Sequence, residues 1–321
     1  MSMLWLVCLG LISGAGAGLL AGLIGIGGGI VIVPVIYYGL ISADAPADQA
    51  AHVAVATSLA AILPAALASS VGHWRAGNTD FAFLREWGPG IATGVVAAQL
   101  VAQHLHGSFM TAMFGLFTLL AAVRFAAPGR FRPVFERPPN GNFRRVAGLG
   151  IGLVSGFAGV GGGILTNVVM VLSGVPMHKS IGRAAAVGVV VSLPATLVAA
   201  FASAPSQVAD IGSINLSMWA CIAPSQAVAA WFGARLAQRI AADNLSRVFA
   251  CVLALTGVVC CARASAGPDS IAISLRRCST CGRRMFGDPG TSECEVTATF
   301  VRITVLQYAF AGCSTAGAGR R

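Results

Sequence analysis

The stretch GLIGIGGGI, Gly22 to Ile30, sets five glycines among nine residues inside an otherwise apolar run. Glycine costs about 1 kcal/mol relative to alanine in a helix interior, so four of them between positions 25 and 29 interrupt a helix rather than bend it. The pattern returns as GFAGVGGGI at Gly156 to Ile164, 134 residues on and identical at six of nine positions. Two breaks of one design imply a chain built from two related halves.

What surrounds the breaks decides their setting. The 321 residues are 56% hydrophobic and 10% charged, with a mean hydropathy of +0.79, which marks an integral membrane protein rather than a soluble domain. Lys179 is the sole lysine, so arginine carries the +10 net charge. Nucleic-acid binding would need those arginines on a soluble, aromatic-bearing surface, and residues 1–262 offer none. The first 26 residues lack a basic leader and hold a motif that recurs internally, so they read as a first membrane element and not as a signal peptide.

Apolar runs long enough to span lie near residues 4–41, 50–72, 84–104, 108–126, 146–174, 181–203, 212–236 and 246–262. They form two sets of four. HVAVATSLAAILPA aligns with GRAAAVGVVVSLPA, setting Pro64 opposite Pro194, and PGIATGVVAAQLVAQ aligns with PSQAVAAWFGARLAQ, setting Pro89 opposite Pro224. The expected organisation is a first membrane repeat over 1–126, a basic linker rich in proline and glycine over 127–145, a second repeat over 146–262, and a tail over 263–321.

Each glycine-broken element either crosses the membrane or dips in and returns as a hairpin. If all eight cross, the halves are parallel, and eight basic residues before the tail face the cytoplasm against five outside. If both broken elements are re-entrant, the halves are inverted, and all thirteen face the cytoplasm with the N-terminus outside. The charge bias favours the second. The expected fold is therefore an all-α integral membrane protein of two inverted repeats, each with four membrane elements and each opening with a glycine-broken re-entrant or kinked helix.

A helix that begins inside a membrane presents unpaired backbone N–H groups and a positive dipole end, which suit an anion. The segments after Gly27, Gly28, Gly29 and after Gly161, Gly162, Gly163 begin in this way, so two ends related by symmetry can cradle one small oxyanion. Close helix packing is the competing role for the same glycines. Thr57, Ser58, Thr166 and Asn167 lie near the breaks in sequence and offer side-chain hydrogen bonds to an anion, or to neighbouring helices. Lys179 and Arg183 open the sixth element as a basic cytoplasmic entrance or as interfacial anchors, where the first half has Asp44, Asp48 and His52.

GLIGIGGGIVIVPVI, GFAGVGGGILTNVVM, the linker between the repeats and the ending GARLAQRI together resemble the sulfite exporter TauE/SafE family of membrane permeases over residues 4–262. The resemblance implies transport, usually outward, of small sulfur-containing anions such as sulfite, sulfoacetate or related organosulfur acids. It implies a multi-pass protein of the plasma membrane or cell inner membrane, with lipid and a small anion as its partners. The tail after Cys261 departs from the family pattern.

No cofactor or metal site is expected. A GxGxxG motif started at Gly25 meets Ile30 where its last glycine belongs, and no GK[ST] follows either break. Cys278 and Cys281 form one CxxC, but Cys294 and Cys313 follow at loose spacing without a second, and the tail reads as a poorly ordered extension. A membrane-embedded thiol or redox enzyme using those cysteines is the alternative function, and no polar catalytic constellation within the spans supports it. The one carboxylate inside an expected span, Glu86, lies at the edge of 84–104, which leaves the coupling ion unassigned.

Overall fold

Each glycine cluster ends one helix and starts another. In the computed structural model, which describes residues 3–126, 141–202 and 209–240 within the unit Met3–Ala264, α1 (Met3–Ile24) stops before Gly25 and α2 (Gly29–Ser42) starts after Gly28. The second break repeats this between α6 (Asn142–Ala158) and α7 (Gly163–Leu172). The other described helices are α3 (Ala47–Arg75), α4 (Phe81–Ala102), α5 (Gly107–Ala126), α8 (Met177–Phe201) and α9 (Leu216–Ala237). Among the described residues there is no named strand. The aligned prolines sit inside matching helices, Pro64 and Pro194 in α3 and α8, Pro89 and Pro224 in α4 and α9.

By length and composition α3 and α8 are long and apolar enough to cross a membrane. Large apolar side chains such as Ile12, Val146, Leu197 and Phe201 are exposed around the bundle, the surface that a bilayer covers. The span expected over 246–262, the tail with its cysteines, and 127–140 of the linker lie outside the described residues.

Contacts between glycines and neighbouring helices fix how the elements run. α1 and α9 lie side by side in one direction, with Gly10 against Cys221, Gly14 against Ser225, Gly18 against Gln226 and Gly22 against Ala230. α4 and α6 pair the same way, with Gly90 against Arg145, Gly94 against Leu149 and Gly156 against Ala98. The glycines on α1 and α6 recur every four residues and so form one face of each helix. Gly14, Gly18 and Gly22 correspond to Gly148, Gly152 and Gly156 through the same 134-residue offset as the breaks. Our reading of the sequence missed this ladder, although its period and offset are both visible there.

α3 runs with α9 and against α8, since Gly72 meets Ala234 whereas Ala66 meets Gly188 and Asn78 meets Gly182. α2 ends beside the first turn of α9, where Gly39 meets Met218, so α1 and α2 form a hairpin open toward that end. α7 instead finishes beside Arg183 at the start of α8, so α6 and α7 open toward the opposite end. The α1 arm is longer than a half-helix. Its 22 residues measure about 33 Å, and the Gly22 carbonyl accepts a hydrogen bond from Nε2 of buried His73 in the last turn of α3. The chain then doubles back, because a Cβ on Gly28 would lie 2.8 Å from the carbonyl oxygen of Ala17.

The two ends differ in charge. Arg75, Arg85, Arg144, Arg145, Lys179, Arg183, Arg235 and Arg239 gather where α3, α7 and α9 finish and α4, α6 and α8 start. Arg144 pairs with Glu86 at 2.6 Å, and Arg183 with Asp80 at 3.5 Å. The opposite end carries Asp44, Asp48 and Asp210 and, among the described residues, no lysine or arginine.

Candidate functional site at the crossing of two broken helices

The breaks meet. A Cβ on Gly27 would lie 3.3 Å from Cα of Gly161, one on Gly29 would lie 2.5 Å from the Gly159 carbonyl oxygen, and one on Gly163 would strike the Gly25 carbonyl. Gly27, Gly28 and Gly162 have φ of 83°, 80° and 71°, the left-handed region open to glycine at little cost. The glycines thus serve two purposes: Gly29, Gly161 and Gly163 admit another backbone, while Gly27, Gly28 and Gly162 let the chain turn.

Gly28 and Gly162 are the N-caps of α2 and α7, and neither helix start has a side-chain cap. The amides of Gly29 and Ile30, and of Gly163 and Ile164, therefore have neither a carbonyl one turn back nor a capping oxygen, whereas Val31 donates to the Gly28 carbonyl at 3.1 Å. α2 and α7 leave the crossing toward opposite ends, so both positive dipole ends are directed into it. Among the described residues no aspartate, glutamate, lysine or arginine is buried, so the backbone ends dominate the local field.

Side chains from four helices hold the breaks. Asn167 on α7 donates through Nδ2 to the Ile24 carbonyl at 2.8 Å, tying one hairpin to the tip of the other, and its Oδ1 accepts from Ser180 Oγ at 2.8 Å. Ser58 on α3 donates to the Gly159 carbonyl at 3.1 Å and to Val55 at 2.8 Å. Gln226 on α9 donates through Nε2 to the Gly27 carbonyl at 2.8 Å. Thr166 returns its hydroxyl to the Gly162 carbonyl at 2.9 Å. Ile62 is fully buried between the breaks, its methyl groups 2.9 to 3.0 Å from where Cβ atoms of Gly27, Gly29 and Gly161 would stand.

Of the residues singled out from sequence, the structure brings together the six glycines, Ser58, Thr166 and Asn167. Thr57 stands apart, with its Oγ1 accepting from the Asn215 amide at the start of α9, at 2.9 Å. Lys179 is exposed, and Arg183 is held by Asp80 and lies 5.0 Å over the ring of Phe83. Gln226, Ser155 and Ile62 went unnoticed in sequence. Gln226 had one signal, an amide alone in an apolar helix two residues after the repeated proline.

Toward the acidic end, a small cleft is lined by His52, Gln99, Gln103 and Ser213. Gln99 in its wall donates to the Gly156 carbonyl at 2.8 Å, one turn before the second break. Among the described residues, no group of His, Cys, Asp and Glu is placed to hold a metal ion.

Helices throughout the described residues, exposed apolar flanks and interrupted helices meeting inside fit the class of membrane transport proteins. The chain belongs to the sulfite exporter TauE/SafE family, whose profile matches residues 10–260. Curated relatives are probable membrane transporter proteins. That of Haemophilus influenzae is 29% identical over 187 residues, 58% of this chain and 71% of its own length. That of Bacillus subtilis is 29% identical over 194 residues, covering 54% and 68%. That of Methanocaldococcus jannaschii is 21% identical over 253 residues, covering 75% and 90%. No solved structure matches the chain. The protein is a membrane transporter and not an enzyme.

Proposed function

We propose that the protein is a multi-pass permease of the plasma membrane or cell inner membrane that exports small sulfur-containing oxyanions such as sulfite, sulfoacetate or related organosulfur acids. The anion binds where the two glycine breaks cross, between the halves of an inverted repeat. The observation that carries this reading is the pair of uncapped helix starts at Gly28 and Gly162, directed at one another, with no buried carboxylate among the described residues. Opposed hairpins and opposed directions of corresponding helices support the inversion: α1 against α6, α3 against α8, and α4 against α9.

The basic end faces the cytoplasm under the positive-inside rule. Lys179 and Arg183 there raise the local concentration of anions. An anion leaving a cell with a negative interior gains about 2.3 kcal/mol per charge per 100 mV, which supplies a driving force without a buried carboxylate relay. The test is counterflow of labelled sulfite, and then of labelled sulfoacetate, into proteoliposomes preloaded with the same unlabelled anion. Accumulation above protein-free vesicles is expected, and uptake no greater than theirs for both anions would overturn the proposal.

A further inference from the structure

Gln226 is completely buried, and its amide orientation is fixed chemically: the Gly27 carbonyl only accepts, so Nε2 must face it, at 2.8 Å. Oε1 is then the free end of the same amide, and among the described residues it has no donor. The second break has a counterpart. Ser155 is 1% exposed, its Oγ lies 3.4 Å from where a Cβ on Gly162 would stand, and it too has no partner. Each uncapped helix start therefore has an unpartnered buried oxygen beside it.

The chemistry of these groups limits what can satisfy them together. First-turn amides only donate, and an oxyanion supplies the acceptors they need. The amide oxygen of Gln226 only accepts, so an oxyanion without a hydrogen leaves it unpaired in a dry site. A ligand with acceptor oxygens at one end and a hydroxyl within reach pairs both. We infer that the site selects small oxyanions that carry a hydroxyl group, which Gln226 Oε1 reads as an acceptor and the Ser155 hydroxyl supports. The inference rests on the oxyanion reading of the crossing. It adds a specificity rule to that reading, ranking hydroxyl-bearing sulfonates above sulfite and sulfoacetate within the proposed class, because a site built to bond a substrate hydroxyl discriminates strongly against the analogue lacking it.

Isethionate and propane-1-sulfonate share charge and heavy-atom count and differ in a hydroxyl against a methyl group. The full chain in proteoliposomes is tested for exchange of labelled sulfite in the presence of each competitor. Isethionate is expected to compete at roughly tenfold lower concentration than propane-1-sulfonate. In Gln226→Met the two should fall within about twofold of each other, because the thioether keeps the volume and loses the acceptor. Ser155→Ala removes one oxygen, adds no atom and should narrow the gap, so the test stands even if Gln226→Met fails to reach the membrane. Sulfite exchange in which both competitors act equally on the wild type, or neither acts, overturns the inference and leaves the oxyanion reading intact. Selectivity that survives both substitutions overturns it as well. Absence of sulfite exchange in the wild type instead counts against the oxyanion reading itself.

Discussion

Gly28 and Gly77 both adopt left-handed backbone, with φ of 80° and 73°, yet their surroundings differ. A Cβ on Gly77 meets nothing within 4 Å, while one on Gly28 would lie 2.7 Å from Gln226 Nε2 and 2.8 Å from the Ala17 carbonyl. Gly77→Ala therefore isolates conformational strain, about 1–2 kcal/mol, and Gly28→Ala adds a collision with backbone. Thermal unfolding in detergent should show Gly28→Ala as clearly the less stable of the two, and equal midpoints would mean that α9 and α1 yield to the new methyl. The sequence made the glycines legible because five in nine residues contradict any helix. Asn167 and Ser58 were legible as polar groups near the breaks. Gln226 was not, since its partner Gly27 lies 199 positions away, and Ile62 looked like any other apolar residue of α3.

Between elements, the glycine ladders set how closely helices approach, and in a bilayer that closeness is the main source of association. Gly18 faces the backbone of Gln226 and Gly152 that of Ile91, whereas Gly16, two residues from Gly18 on the exposed side of α1, meets nothing within 4 Å. Gly18→Leu and Gly152→Leu should each separate their helix pair and cost at least about 1–3 kcal/mol, read as loss of monodisperse protein in detergent. Gly16→Ala should leave stability unchanged or raise it by up to about 1 kcal/mol through helix propensity. Leucine tolerated at positions 18 and 152 would show that these faces do not carry the packing. Helix existence, the paired prolines and the two breaks followed from hydropathy and repetition alone. The lengths of the arms did not: α1 extends nearly to the basic end because the carbonyl of Gly22 finds His73 there, a contact between distant segments that no local pattern encodes.

Across the whole molecule, charge orders the ends. The described lysine and arginine residues collect at one of them, while the turn between α2 and α3 places Asp44 at the other, with Asp48 in the first turn of α3. Single cysteines in a background without native cysteines should react from outside at positions 48 and 210 and from the cytoplasm at 179 and 239. A parallel arrangement of the halves requires 179 to be outside and 210 inside, so that pattern would replace the inverted topology. The sequence shows the arginines, but the meeting of Gly27 with Gly161 needed three dimensions. The proposed binding of one anion by both breaks depends on that meeting. Equilibrium binding of labelled sulfite to the purified full chain, compared among wild type, Gly28→Val and Gly162→Val, tests it most directly. Valine fills the space beside the uncapped amides and resists a positive φ, so each substitution alone is predicted to weaken binding of this one substrate by roughly tenfold or more in protein that still purifies folded. Wild-type affinity retained with valine at both positions would contradict the shared site and return the glycines to a packing role.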